Sequence, residues 1–226
     1  MKLPNIYFIT YSISDLAEVI ALQHSNSITE LRQKVNILII DDEEFIGESY
    51  LRKNGFNITH KTDIDTIKDV ATYSVVLCDI RGVGKQLGST KEGAFIIKEI
   101  KANYPNKQVV AYTGSGYDAA YNEYIKLADA VISKGTSIDD WISILDTQIK
   151  KAVDPKFQWE KLRRFLLESG VSTASVASIE DKYVRAVKRK DFSGMLNLGD
   201  KTDKKAQDVI SDFVSSVCVK LILGSI

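Results

Sequence analysis

Two cysteines, two histidines and three prolines are all that this chain of 226 residues holds of those types. Cys78 lies in an apolar run and Cys218 in an amphipathic C-terminal stretch, so the pair does not read as a disulfide framework. Such usage fits a reducing compartment. With only His24 and His60, histidine-based catalysis and a histidine-rich metal site are set aside. Charge of one sign is missing too: Lys+Arg and Asp+Glu both count 30, and the formal net charge is zero. Bulk electrostatics therefore give no pull towards nucleic acid or an anionic membrane. No apolar stretch has the length of a membrane-spanning helix. The apolar patch in "MKLPNIYFITYSISDLAEV" is broken by Thr10, Ser12, Ser14 and Asp15, and no small-residue cleavage pattern follows it. It is expected to be folded protein rather than a signal. A cytoplasmic protein without membrane attachment is the expectation.

What is present is globular: 44% hydrophobic and 27% charged residues, in a length that suits one ordinary domain plus a smaller unit. From Val35 to about Lys150 the apolar period alternates between two and 3.6. Strands are expected at "VNILIID" (35–41), "FNITH" (56–60), "VVLCD" (75–79), "KQVVAYT" (107–113) and "DAVISK" (129–134). Helices are expected over "EEFIGESYLRKN", closed by Gly55, then "DIDTIKDVA", "GAFIIKEIKANY", "YDAAYNEYIKLA" and "SIDDWISILDTQIKK", the last with Ser137 as N-cap. Five strands alternating with five helices specify a parallel sheet covered on both faces. The fold class is α/β, a flavodoxin-like doubly wound five-stranded sheet of order 2-1-3-4-5, with an all-α C-terminal unit and an N-terminal strand–helix extension. The domain boundaries read as 1–34, 35–150 and 151–226.

In such sheets the site lies at the carboxyl ends of the strands. The first strand ends in Asp41 and Asp42, with Glu43 following. The third ends in Asp79, the fourth in Thr113 and the fifth in Lys134. In the order 2-1-3-4-5 these converge. Carboxylates pressed together raise one another's pKa unless a cation intervenes. All-oxygen donors with room for water suit Mg²⁺. A divalent ion would leave Asp79 free as a nucleophile towards a phosphoryl group, with Lys134 and Thr113 placed to bind its oxygens.

These motifs resemble a response-regulator receiver domain over residues 35–150: "IIDDEE" for the acid pair, "VVLCD" for the phosphoacceptor, "VVAYTG" for the switch threonine and "VISK" for the lysine. The resemblance implies Mg²⁺ held by Asp41, Asp42, Asp79 and the backbone carbonyl of Arg81. It implies a phosphoryl group received on Asp79 from a histidine kinase, a phosphotransfer protein or a small phosphodonor, with Thr113 and Lys134 binding it. Three positions depart from the family. The loop "RGVGKQLGSTKEG" after Asp79 is long, and its four glycines suggest a mobile flap. Gly135 stands where the family commonly has proline. Val131 stands where it commonly has the switch aromatic, with Tyr112, Tyr117, Tyr121 and Tyr124 nearby as substitutes.

The flanks carry less. Residues 1–34 read as a strand "IYFITYSI", a helix "DLAEVIAL" and the segment "SITELRQK". Residues 151–226 read as three amphipathic helices with 14 basic against 10 acidic residues, the last running unbroken through "KAQDVISDFVSSVCVKLIL". No independent enzyme is expected, beyond phosphoryl uptake from small donors and its hydrolysis. The leading expectation is a phosphorelay regulator relaying a change to the helical region, with dimerisation through the fourth helix, fifth strand and fifth helix or through the C-terminal helices. Two alternatives stand beside it. One is a receiver-like scaffold that no longer cycles. The other is DNA binding through the basic helix 182–190, for which a solvated helix face is the simpler reading.

Overall fold

The computed structural model describes residues 10–19, 27–45, 47–114, 121–195 and 203–225. The chain divides into two compact units: Asn26–Val153, and Met1–Ser25 together with Asp154–Ile226. The sheet unit thus includes residues 28–34, while the N-terminal 25 residues share a unit with the C-terminal helices.

The sheet unit opens with α1 (Ile28–Lys34), capped by a reciprocal Ser27–Glu30 box. There follow β1 (Asn36–Ile40), α2 (Glu48–Lys53), β2 (Asn57–Lys61), β3 (Val75–Asp79), α3 (Glu92–Asn103), β4 (Gln108–Thr113), α4 (Asn122–Ile125), β5 (Ala130–Ser133) and α5 (Ile138–Val153). A 3₁₀ turn at Ile67–Val70 takes the place of the expected helix between β2 and β3. All four pairings are parallel, in the order β2-β1-β3-β4-β5. β3 is buried at every position, which explains its unbroken apolar run. Burying each such Val or Leu contributes about 1.5–3 kcal/mol. One sheet face packs Leu38, Val76, Cys78, Val109 and Ala111 against Ile96, Ile97 and Ile100 of α3.

Helix α1 was not separated from the N-terminal extension by its pattern. Arg32 ties it down. Its guanidinium donates to both carboxylate oxygens of Asp146 on α5, at 2.8 and 2.7 Å, and to the Asn54 carbonyl at 3.0 Å. It also lies 4.6 Å over the Phe56 ring. This two-pronged geometry is one that lysine cannot supply.

Helix α2 begins five residues later than the pattern from Glu43 suggests. Asp41 Oδ1 accepts the Glu43 amide at 3.0 Å, and such a local side-chain bond competes with helix. Ser137 caps α5 as expected, its hydroxyl accepting the Asp140 amide at 3.2 Å.

The helical unit contains α6 (Pro155–Glu168), α7 (Thr173–Arg189), α8 (Lys204–Val214) and α9 (Val217–Leu223). The single last helix expected from sequence is two. Ser216 is extended and its hydroxyl accepts the Val219 amide at 3.4 Å, starting a new helix where apolar periodicity alone runs on. The core centres on Trp159, stacked on Tyr183 at 5.2 Å, with Phe213 at 5.4 Å from Tyr183. Leu16 is fully buried in this same core. The strand expected at 6–13 is absent among the described residues: Ile13–Leu16 form a 3₁₀ turn, and residues 6–9 lie outside them. Asp181 explains the placement. One of its oxygens accepts the amides of Thr10 and Tyr11, each at 2.9 Å, and the other accepts Arg185 Nε at 2.8 Å.

Candidate functional site

Register brings the strand ends level. Ile40 pairs with Cys78, Asp79 with Tyr112 and Thr113 with Ser133. Asp41, Asp79, Thr113 and Lys134 are therefore neighbours along one edge. One oxygen from each of Asp41, Asp42 and Asp79 lies within 4.8 Å of the others. Asp41 and Asp79 are buried, whereas Asp42 keeps 38% of its side chain in solvent.

Lys134 holds the two buried acids together. Its ammonium donates to Asp79 Oδ2 at 2.6 Å and lies 3.2 Å from Asp41 Oδ2. Glu43 adds a carboxylate at 3.6 Å from it, on the exposed side. The aliphatic stem passes over Gly114, where a Cβ would stand 3.4 Å from the lysine's Cδ. Burial pushes the Asp79 carboxyl above the usual carboxylate range, against the pull of the Lys134 ammonium and the Arg81 amide. Burial also opposes the charge on Lys134, but the hydrogen bonds it donates to Asp79 and Asp41 hold it above the usual lysine value. The pair is an ion pair with one cation facing more than one anion.

Arg81 stands beside the site, its amide donating to Asp79 Oδ1 at 3.3 Å. Thr113 closes β4 half-buried, its carbonyl accepting the Lys134 amide at 2.9 Å. Val131 is 43% exposed on β5, away from the core.

The glycine-rich loop is tied at both ends of its first half. Asp63 accepts the Gly84 amide at 2.7 Å and the Gln86 amide at 3.3 Å. Gly82, at φ +82°, lies flat on the Asp42 carboxylate, so a Cβ there would stand 2.0 Å from Oδ1. Lys85 reaches the same carboxylate at 3.5 Å. At the loop's far end Gly93 lets the Asp79 carbonyl approach α3, where a Cβ would meet it at 1.7 Å. The loop expected as a flap is held at these points, of which Gly82 and Lys85 lie directly on the Asp42 carboxylate.

Tyr112, named from sequence among the tyrosines that could substitute for the missing aromatic, is the one that touches the acid cluster. Alternation places it on the face opposite Ala111, but only the structure brings its hydroxyl to Asp41 Oδ2, at 2.7 Å. Its ring packs against Phe45 at 5.8 Å and Trp141 at 5.7 Å, and Lys134 lies 5.5 Å over it. Of the other tyrosines named from sequence, Tyr121 donates to Glu92 and Tyr124 faces Lys98. Tyr117 lies outside the described residues.

The donor set is all oxygen, carboxylate-rich and partly open at Asp42, which fits a hard divalent cation such as Mg²⁺. The parallel order β2-β1-β3-β4-β5, with acids after β1 and at the end of β3 and a lysine after β5, is a flavodoxin-like doubly wound sheet with its candidate site at the carboxyl ends of the strands.

Solved structures that the chain resembles include receiver domains. A CheY-like response regulator receiver domain protein from Methanospirillum hungatei JF-1 shares 19% identity over 52% of this chain and 95% of that one, with a TM-score of 0.43. A response regulator from Thermotoga maritima shares 17% over 51% and 97%, at 0.42. The BeF3-activated N-terminal receiver domain of RstA from Klebsiella pneumoniae shares 17% over 50% and 97%, at 0.43. The sequence matches no protein-family model and no curated protein.

Proposed function

We propose that this protein is a phosphorelay response regulator that accepts a phosphoryl group on Asp79. The observation that carries the reading is Lys134 within 2.6 Å of Asp79, beside an acid pair that a divalent cation suits. Asp41, Asp42, Asp79 and the Arg81 carbonyl would hold Mg²⁺. Bound there, the ion would neutralise the acids and draw charge from the transferring phosphoryl oxygens. An Asp79 oxygen attacks phosphorus in a phosphohistidine or a small acyl phosphate, and the bond to the donor nitrogen or oxygen breaks. Lys134 then turns from Asp79 to a phosphoryl oxygen, and Thr113 donates to another. The donor is a histidine kinase or a phosphotransfer protein. The expected readers are the C-terminal helices or a second copy of the chain, met through α4, β5 and α5 or through the helices themselves. A small phosphodonor with Mg²⁺ should add one phosphoryl group to the wild type and none to Asp79→Asn. Undiminished labelling of that variant moves the acceptor elsewhere.

A second reading, a scaffold that does not cycle, is favoured by one feature. Lys134 already pairs with both buried acids, and no aromatic stands at Val131. Failure to bind Mg²⁺ at millimolar concentration would support it. DNA binding through 182–190 is less favoured, because Arg185 pairs with Asp181 and both Arg185 and Lys188 lie over the Tyr11 ring.

A further inference from the structure

The family's usual aromatic, three residues before the lysine, is here an exposed valine. On the opposite face of the sheet three rings meet beside the site. Tyr112 precedes the switch threonine on β4, and alternation turns it to the opposite face of the sheet. There it touches the reacting centre twice: its hydroxyl donates to Asp41 and its ring lies beneath the Lys134 ammonium. Phe45 and Trp141 complete the group, with 5.1 Å between their centroids. Phe45 belongs to the loop leaving Asp41, and Trp141 is the first buried residue of α5.

Beside these rings is a cavity of about 390 Å³, bounded by Asp41, Phe45, Gly47, Lys134, Ile138 and Trp141 among others. Packed interiors resist small continuous shifts, and rings without free space cannot re-orient. Here the space adjoins Asp41 and Lys134 of the site and the Phe45 and Trp141 rings.

We infer that Tyr112 is a positioning residue that holds Asp41 for the cation and passes the state of Asp79 to Phe45 and Trp141, hence to α5. The inference rests on the phosphoacceptor reading above. When Lys134 turns to a phosphoryl oxygen it leaves both Asp41 and the Tyr112 face. The hydroxyl then loses its competitor for Asp41, and the ring loses the charge above it. Signal leaves the site on the Trp141 side of the sheet.

Trp141 is the lone tryptophan between residues 26 and 153, and the other is Trp159. Full-length protein carrying Trp159→Phe therefore reports on it alone. Emission is read before and after Mg²⁺ with beryllofluoride, a tetrahedral phosphoryl mimic, while phosphodonor labelling is followed by mass in the same preparations. The expected result is a change in Trp141 emission that Tyr112→Phe abolishes, with labelling retained and Mg²⁺ affinity lowered several-fold. A role in packing alone would shift the melting temperature and leave the emission response in place. A labelled protein with silent Trp141, or a Tyr112→Phe variant that keeps the response, overturns the inference and spares the phosphoacceptor reading. A wild type that takes no label overturns both. Should Tyr112→Phe not fold, Phe45→Leu carries the test: it keeps the Tyr112–Asp41 bond and should halve the response or better. A response of full size in Phe45→Leu overturns the relay.

Discussion

Adding one methyl group at Gly82 tests how the acid cluster is assembled. The residue has φ +82°, where a side chain costs about 1–2 kcal/mol of backbone strain. The new Cβ would also stand 2.0 Å from Asp42 Oδ1 and 2.4 Å from Oδ2. Asp42 is 38% exposed and can swing into water, so the clash is relieved cheaply and the fold survives. The cost falls on the cation site, which loses a carboxylate. Moving one negative charge from ~4 to ~8 Å from a divalent ion removes ~1 kcal/mol at the dielectric of water and ~4 kcal/mol at an effective dielectric near 20. The exposure of Asp42 places the effect near the lower figure, roughly a fivefold loss in Mg²⁺ affinity. Gly88→Ala is the matched control. Its φ is +69° and nothing lies within 4 Å of its Cβ, so it carries the backbone strain without touching the site. Calorimetric titration with Mg²⁺ and thermal melts of both variants decide the matter. Equal stability losses with a lowered affinity in Gly82→Ala alone are expected. Equal affinities in the two variants would refute the role given to Asp42.

Three further outcomes follow from the contacts. Lys134→Ala leaves two buried acids without their cation and should cost about 3 kcal/mol at neutral pH. Asp79 already has a raised pKa, so the deficit should fade as the pH falls through that raised value, and Mg²⁺ should offset it at neutral pH; a denaturation midpoint unmoved at pH 7 contradicts this. Burial opposes the charge of Asp181, but the Thr10 and Tyr11 amides and Arg185 hold its pKa below the usual carboxylate value. Its contribution is full above the ordinary value near 4 and is lost as the pH falls through the lowered one. Asp181→Ala should cost about 1.5–3 kcal/mol and open residues 10–16 to hydrogen exchange at neutral pH, and unchanged protection there would exclude the tether. Cys78 and Cys218 are fully buried and burial raises both thiol pKa values, so a disulfide reagent should find neither thiol in the native protein and both in urea.

Strands and their order were legible because a doubly covered sheet writes near-continuous apolar runs, and because each run ends in a residue that belongs to the site. Val75–Asp79 is the strand read from sequence, to the residue. Helices whose stripe is long, such as α5, were equally plain. Legibility failed where a polar side chain redirects the backbone. Asp41 delays α2 and Ser216 divides the final helix, and neither effect alters hydrophobic period. It failed again where the partner is distant in sequence. Asp181 holds Thr10 across 171 positions, and nothing local to either residue announces the other. The acids and lysine of the site could be named from strand ends, but the Tyr112–Asp41 bond could not. Alternation tells which face a residue takes and not which neighbour its hydroxyl meets.

Because the helical unit is made from both ends of the chain, the sheet unit is an insertion within it. During synthesis the first 25 residues emerge long before the helices that complete their unit. The inserted domain can close on itself once Val153 has left the ribosome, while its host waits for some seventy residues more. Truncation immediately after Val153 should therefore spare the inserted domain and leave the amino-terminal segment without a core to join.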